Sequence, residues 1–587
     1  MKLALTIRVS VTTLACLIGY ATKTQAQIDP DRLAQIGSRL AQIKANLEGL
    51  PEAQQQTLSS AAENMLRLAR SWDQVSAGLG AITGADVQSA ASLAAGPTGR
   101  LPFGPNFAAV SNPSSDFAYS ITAGFTQSET STAWCGNQVV VGFNDSNSLF
   151  KSLLFGSGGA SFTSAGISSD RGLSFRDIGF INAGTDPNNF LQGDPVVTCV
   201  PGSTTFYFTQ IFGTGPASAP ISAVAISQSA DGGATWANPI AAAQKDGFTH
   251  FLDKPWSAID PADPTRIFVT YTDFDSSGAV CGSSGGAAIQ RTAIELVRST
   301  DGGRTWSSPQ VLVQACSKAP NYPSVQGSQV GLDPQGHVYI AWEDFSDPAG
   351  STRDLKIRRS SDHGVTFGAA VLISPVAYTG DGSVLQGGIR NNEFPLMAFG
   401  PAVNGISPIY IVWNDGRNFR ITDFAGAAGK YGFADVLLSK SFDGGGNWTA
   451  PIRVNSDPKS HSAAGRILGT DHFQPGIAAD PTGAIGVCWY DRQADPLNYM
   501  IGRVCAASFD QGTSWTEIAF PQTWQPIHAA DGFINPYYLG DYDSVASDAS
   551  GANTGFLGAF GPVISGPEVL VPNQDVVAFL FPSASRR

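Results

Sequence analysis

Charge is scarce in this chain and one-sided: Asp, Glu, Lys and Arg make up 14% of its 587 residues, with 48 acids against 35 bases. The resulting formal charge of −13 repels phosphates, so nucleic acid is not an expected partner. Several chemistry-bearing patterns are also missing. No glycine-rich phosphate loop, no serine nucleophile elbow and no His-Glu-x-x-His pair occurs, which disfavours nucleotide, serine-hydrolase and zincin chemistry. His250 and His472 lie close to Asp253 and Asp471, but no His/Cys spacing suits zinc. Past the N-terminus no stretch is apolar and long enough to span a bilayer, so no membrane span is expected.

What the chain does have begins with a leader. Lys2 and Arg8 precede an apolar run from Val9 to Tyr20 and a small-residue exit at Thr24-Gln25-Ala26, the pattern of a secretory signal peptide over residues 1–26. The expected location is therefore secreted or periplasmic, and loss of Lys2, Arg8 and Lys23 would leave the mature chain at −16. A lipoprotein anchor at Cys16 is the weaker alternative, because Thr13-Leu14-Ala15 is a poor lipobox. Six cysteines remain, at 135, 199, 281, 316, 488 and 505, and an even number in an exported chain favours disulfides over free thiols.

Residues 27–80 read as a helical hairpin. Leu33, Ile36, Leu40, Ile43 and Leu47 recur at steps of three and four, Pro51 breaks the pattern, and a second stripe follows at Leu58, Ala61, Met65, Leu68, Trp72, Val75 and Leu79. Two helices bury too little on their own, so the pair is expected to dock on the rest of the chain or to mediate oligomerisation. Residues 81–110, rich in Gly, Ala, Ser and Pro, read as a linker, and 111–587 as the main domain.

That domain is repetitive. Ser168-Ser-Asp170-Arg-Gly172-Leu-Ser-Phe175 returns as Ser229 to Trp236, Ser299 to Trp306, Ser360 to Phe367, Ser441 to Trp448 and Ser508 to Trp515. Each copy has the makings of a hairpin turn: Asp accepts from turn amides, Gly takes a positive φ, and the aromatic ring packs between sheets. Successive aspartates lie 61, 70, 61, 81 and 67 residues apart, room for a four-stranded blade and its loops. A second recurring piece precedes each turn, with strands such as Val338 to Asp344, Tyr410 to Asp415 and Val487 to Asp491. A seventh, boxless copy starts at Gly540-Asp541-Tyr542 and lacks a fourth strand, which the segment around Phe117 to Thr122 would supply. The expectation is all-β: a seven-bladed β-propeller closed by pairing its two ends, with six blades as runner-up and an N-terminal α-helical hairpin. This register favours Cys135–Cys199, Cys281–Cys316 and Cys488–Cys505 as disulfides.

On these six turns the chain resembles the bacterial sialidase-like, or BNR/Asp-box, superfamily over roughly residues 127–581. The resemblance implies a propeller that acts on glycans or glycoconjugates, by glycoside hydrolysis of the exo-α-sialidase type, or a non-catalytic carbohydrate- or protein-binding propeller. A sialidase of this kind would clamp a substrate carboxylate with three arginines and use a Tyr–Glu pair and an Asp for catalysis. The Phe-Arg-Ile-Pro segment that carries the first arginine is absent, so Arg390, Arg417 and Arg492 are substrate-binding candidates only by their place near strand ends.

The residues themselves suggest a site. Propellers bind ligands where the innermost strands begin, and aligning the repeats puts Glu129, Asp194, Asp253, Glu393, Asp471 and Asp541 near equivalent positions, with Tyr542 beside the last. Crowded carboxylates raise one another's pKa, which suits general acid/base work on a glycoside. The same acids could equally cap strands by bonding backbone amides. No cofactor is expected; the Asp273-Phe-Asp275-Ser-Ser-Gly278 run is compatible with calcium, and also with an ordinary turn.

Overall fold

The computed structural model describes residues 30–50, 58–80, 107–112, 116, 124–156, 158–350, 352–421, 431–456, 461–463, 466–520, 523–524, 534–535, 537, 539–564 and 573–582. The expected signal peptide and all but the end of the expected linker lie outside them.

The chain folds as a seven-bladed β-propeller. The innermost strands of blades 1 to 7 are Gln127–Cys135, Phe190–Cys199, His250–Ile259, Ser324–Leu332, Leu396–Phe399, His472–Ala479 and Ser544–Ala546. Each is followed outward by antiparallel neighbours, as in blade 3, where Ile267–Asp275, Arg291–Ser299 and Gln310–Cys316 complete the sheet. Alternate side chains from adjoining blades interdigitate: Ala133 and Val140 of blade 1 meet Val197, Phe208 and Trp236 of blade 2 in one buried cluster.

The repeated turns connect third and fourth strands. In the first, the amide of Gly172 donates to Ser168 Oγ at 2.9 Å, Ser168 Oγ donates to Asp170 at 2.7 Å, and Asp170 accepts from Ser174 N at 2.9 Å. The other five repeat this pattern, with the equivalent glycine-to-serine bonds at 2.8 or 2.9 Å. Gly172 takes φ +84°, a conformation that a side chain would strain.

Blade 7 is closed by the N-terminal side of the chain, as the missing strand requires. The strand that does it is Phe107–Ala109, paired with Val577–Phe581, rather than the segment around Phe117 to Thr122, which lies outside the described residues. Three residues are too few to show a period in the sequence. Phe107 is held by its neighbours instead, its ring 4.8 Å from those of both Phe520 and Phe579.

Two helices, α1 (Pro30–Glu48) and α2 (Ser60–Gly80), form the expected hairpin, with Ile36, Leu40, Ile43, Leu47, Met65, Leu68 and Trp72 buried. Their apolar seam continues onto the propeller's own Phe162, Phe190, Ile211, Phe251 and Phe274 in a single core. A third helix, α3 (Ser146–Phe155), contributes Leu149, Phe150 and Leu153 to that core; it interrupts blade 1 after its second strand, and Asp145 caps it. Polar clamps finish the docking. Arg32 donates to the carbonyls of Leu153, Ser152, Gly156 and Gly159, and Arg39 to those of Thr214, Gly215 and Ile221. Burial lowers the Arg39 pKa to about 10.

Candidate functional site on the propeller axis

Five innermost strands carry the same irregularity. Each gains one residue against its neighbour, between Ser128 and Ser131, Gly193 and Val196, Asp253 and Trp256, Gln326 and Gln329, and Phe473 and Gly476. The first extra residue of each bulge is left-handed: Glu129 (φ 53°), Asp194 (54°), Lys254 (49°), Gly327 (64°) and Gln474 (52°). A positive φ at four side-chain-bearing residues costs of order 1–3 kcal/mol apiece, and such strain concentrates at functional sites. Gly327 is the exception because Phe394 of the next blade faces it: a Cβ there would lie 2.1 Å from the Phe394 ring.

The bulges bring Glu129, Asp194 and Lys254 together with Asp541 of blade 7. Lys254 Nζ lies 2.7 Å from Asp541, 3.4 Å from Glu129 and 3.6 Å from Asp194, all of them buried. The Asp541 amide donates to Glu129 Oε1 at 2.8 Å, while Arg390 and Asn392 each donate to the Asp541 carboxylate at 2.7 Å. Asn144 bridges two blades, donating to Glu129 at 2.5 Å and accepting from the Asp194 amide at 3.1 Å. The Asp194 carboxyl meets that of Glu129 and accepts from no amide or hydroxyl.

The charge balance follows from this packing. Burial, reinforced by Glu129 and opposed by Lys254, holds the Asp194 carboxyl well above the usual carboxylate range. For Lys254 burial acts downward, but Asp194, Asp541 and Glu129 outweigh it and its pKa rises. Two cations, Lys254 and Arg390, thus serve three acids, and the excess negative charge bears most on the fully buried Asp194. Beside the cluster lies a narrow cavity walled by Trp256, Phe394 and Tyr542, with Ser328, Gln329, Asn392, Asn414 and Gln474 contributing polar groups. Lys254 Nζ lies 4.7 Å from the centre of the Tyr542 ring, whose hydroxyl donates to the Pro195 carbonyl at 2.9 Å.

The structure thus gathers Glu129, Asp194, Asp541, Tyr542 and Arg390 from the sequence candidates. Asp253 points the other way, accepting from the Ser59 amide at the start of α2 at 3.0 Å and from Gln326 at 3.1 Å. Glu393 belongs to a separate buried network in which Arg353 bridges it at 2.6 Å and Glu343 at 2.5 Å. Asp471 accepts from Tyr431, Asn498 and Arg492, and Arg417 lies on Asp415. The three arginines therefore do not converge: each faces a different carboxylate.

The calcium reading of the Asp273 run does not fit the residues around it. Asp273 and Asp275 do meet His250, but Lys245 is 2.7 Å from Asp273, and Arg291 is 3.3 Å from Asp273 and 3.7 Å from Asp275. The carboxylates are already neutralised by protein cations.

Lys254 and Asn144 are the residues that sequence reasoning missed. A signal for Lys254 was present in Asp194-Pro195, Lys254-Pro255, Phe394-Pro395 and Gln474-Pro475, four matching dipeptides on or just before innermost strands. Aligned on the prolines, Lys254 and not Asp253 is the partner of Asp194, and Gln474 replaces Asp471. Asn144-Asp145 recurs as Asn414-Asp415, and Asn414 likewise accepts from the amide of the next blade's bulge residue, Gln474, at 3.1 Å.

Fold and site together define a seven-bladed propeller whose axial pocket is lined by Asp541 and Lys254, with Glu129 and Asp194 buried behind them. No protein-family profile matches the chain, and no curated protein does. Among solved structures, it is similar to an α-L-arabinofuranosidase of Fusarium graminearum (14% identity, 64% of this chain and 89% of that one, TM-score 0.38). It is also similar to an intramolecular trans-sialidase from Ruminococcus gnavus (11%, 66% and 94%, TM-score 0.37) and to an ulvan lyase (11%, 79% and 95%, TM-score 0.43). These likenesses are distant, and the seven-bladed architecture rests on the strand pairing described above.

Proposed function

We propose that the protein is an exported enzyme that cleaves glycosidic bonds at the axial pocket, with Asp194 as proton donor and Glu129 or Asp541 as the carboxylate opposite it. The observation that carries this reading is the asymmetry of the cluster. Burial holds the Asp194 carboxyl well above the usual carboxylate range, against Glu129, whereas Glu129 and Asp541 accept from amide donors and lie on Lys254. A carboxyl group whose burial favours its protonated form, packed with two further carboxyl groups beside an aromatic-walled cavity, is what acid-assisted glycoside cleavage needs. Three disulfides, Cys135–Cys199, Cys281–Cys316 and Cys488–Cys505, are consistent with an extracellular or periplasmic protein. No helix among the described residues is long and apolar enough to cross a membrane.

A second reading, a binding propeller without turnover, is favoured by the complete burial of Glu129 and Asp194. A hydrolysis panel of plant, bacterial and sialylated glycans on the purified chain separates the two. Turnover that Asp194→Asn abolishes supports the enzyme; binding without turnover across the panel overturns it.

A further inference from the structure

The walls of the axial cavity also say which sugars it can take. Among its described lining residues Lys254 is the one cation, and its ammonium group is already surrounded by Glu129, Asp194 and Asp541. Arg390, which bonds the lining residue Asp541, lies 2.7 Å from it and 3.7 Å from Glu63 of α2. Both basic groups are thus committed to carboxylates, and the acids outnumber them. A ligand carboxylate or sulfate entering here would meet excess negative charge and would have to displace a buried acid to reach a cation, which like-charge repulsion and desolvation oppose.

The other lining groups suit an uncharged polyol. Trp256, Phe394 and Tyr542 offer ring faces and edges to sugar C–H groups, the Trp256 and Tyr542 rings meeting edge to face at 5.6 Å. Ser328 and Gln329 line the cavity as well. Both residues are more than nine-tenths buried, and Ser328 Oγ and Gln329 Oε1 have no hydrogen-bond partner within the protein, an arrangement that costs stability unless a small shift brings them to a ligand hydroxyl. We infer that the axial pocket is specific for an uncharged sugar unit and rejects uronic and sialic acids. This rests on the proposed glycan-directed role of the same pocket, and it departs from the acidic sugar that the resemblance to sialidases implies.

The test is binding rather than turnover. Saturation-transfer NMR on the full-length mature protein compares methyl glycosides of glucose and galactose with those of glucuronic and galacturonic acid, together with methyl N-acetylneuraminide. Each neutral member is expected to bind roughly tenfold or more tighter than its acidic partner at low salt, with the gap narrowing as salt screens it. Ser328→Ala should weaken neutral-sugar binding several-fold while the thermal midpoint stays in place. Gln329→Glu, which adds a carboxylate of the same shape, should widen the gap. Equal or tighter binding of the acidic partners overturns the inference. Neutral sugars that bind but are not cleaved overturn the hydrolytic reading and leave this one standing, cleavage of an acidic glycan does the reverse, and failure of every saccharide to bind overturns both.

Discussion

Aspartate has opposite fates in two regions of this molecule. In the six turns between third and fourth strands it sits at the surface with its carboxylate filled by donors: Asp301 and Asp510, bonded by the side chains and amides of Thr305 and Ser514, are drawn down to about 2. Along the axis and the closing seam it is enclosed, and burial pushes it the other way, Asp543 to about 6, Asp575 to about 7 and Asp194 well above the ordinary value. Donors stabilise the ionised form and desolvation destabilises it, so what distinguishes the regions is how many amides and hydroxyls surround the carboxyl. The turn aspartates hold the blades as carboxylates; burial holds the enclosed ones toward their neutral form.

That contrast can be broken at its strongest point by exchanging one member of each class. Asp194→Asn should lower turnover about 10²–10⁴-fold with little change in thermal midpoint, whereas Asp301→Asn should leave turnover unchanged. An equal loss in both would remove the functional distinction. Lys254→Met tests the charge balance: three buried acids would lose their shared cation, at a cost of about 3–5 kcal/mol in denaturant unfolding. Adding Glu129→Gln to that variant, which removes one of the acids left without its cation, should recover part of the loss.

Smaller effects sharpen the comparison through pH. Asp575 has a folded pKa of about 7 against an ordinary 3.8, so the folded chain holds a proton that the unfolded chain releases within that window. Its contribution to stability is present below the window and lost as pH rises through it; for the turn aspartates it is present above 3.8 and lost as pH falls toward 2. Asp575→Asn should therefore raise the thermal midpoint at pH 8 by roughly 1–3 °C and change it little at pH 4. Asp170→Ala, which removes the turn bonds of one blade, should cost about 1 kcal/mol at neutral pH and less at pH 2, as measured by urea unfolding.

Much of this architecture was legible in the residues, and the reason differs by element. The turn pattern, from Ser168 to Phe175 and in its five later copies, is local: every partner lies within a few positions, so spacing alone reveals it. The stripe from Ile36 to Leu47 is legible for the same reason. Helix α3 was hidden because it is an insertion held by the hairpin core, and the closing strand Phe107–Ala109 because its partners are some 470 positions away. At the site, Glu129, Asp194 and Asp541 were found from their place at the strand starts. Lys254 was not, since a bulge shifts the register by one residue and puts it, rather than the neighbouring Asp253, in line with Asp194.

From the sequence by itself came the blade as a unit, its number of repeats, the hairpin and the cysteine register, because each depends on short-range chemistry or on a period. Which acids face the axis was decided only in three dimensions. A one-residue bulge turns Lys254 inward and Asp253 toward α2, and closure carries Asp541 onto Glu129 across more than 400 residues of chain. No local pattern encodes that meeting, since it depends on the ring closing with every strand in register.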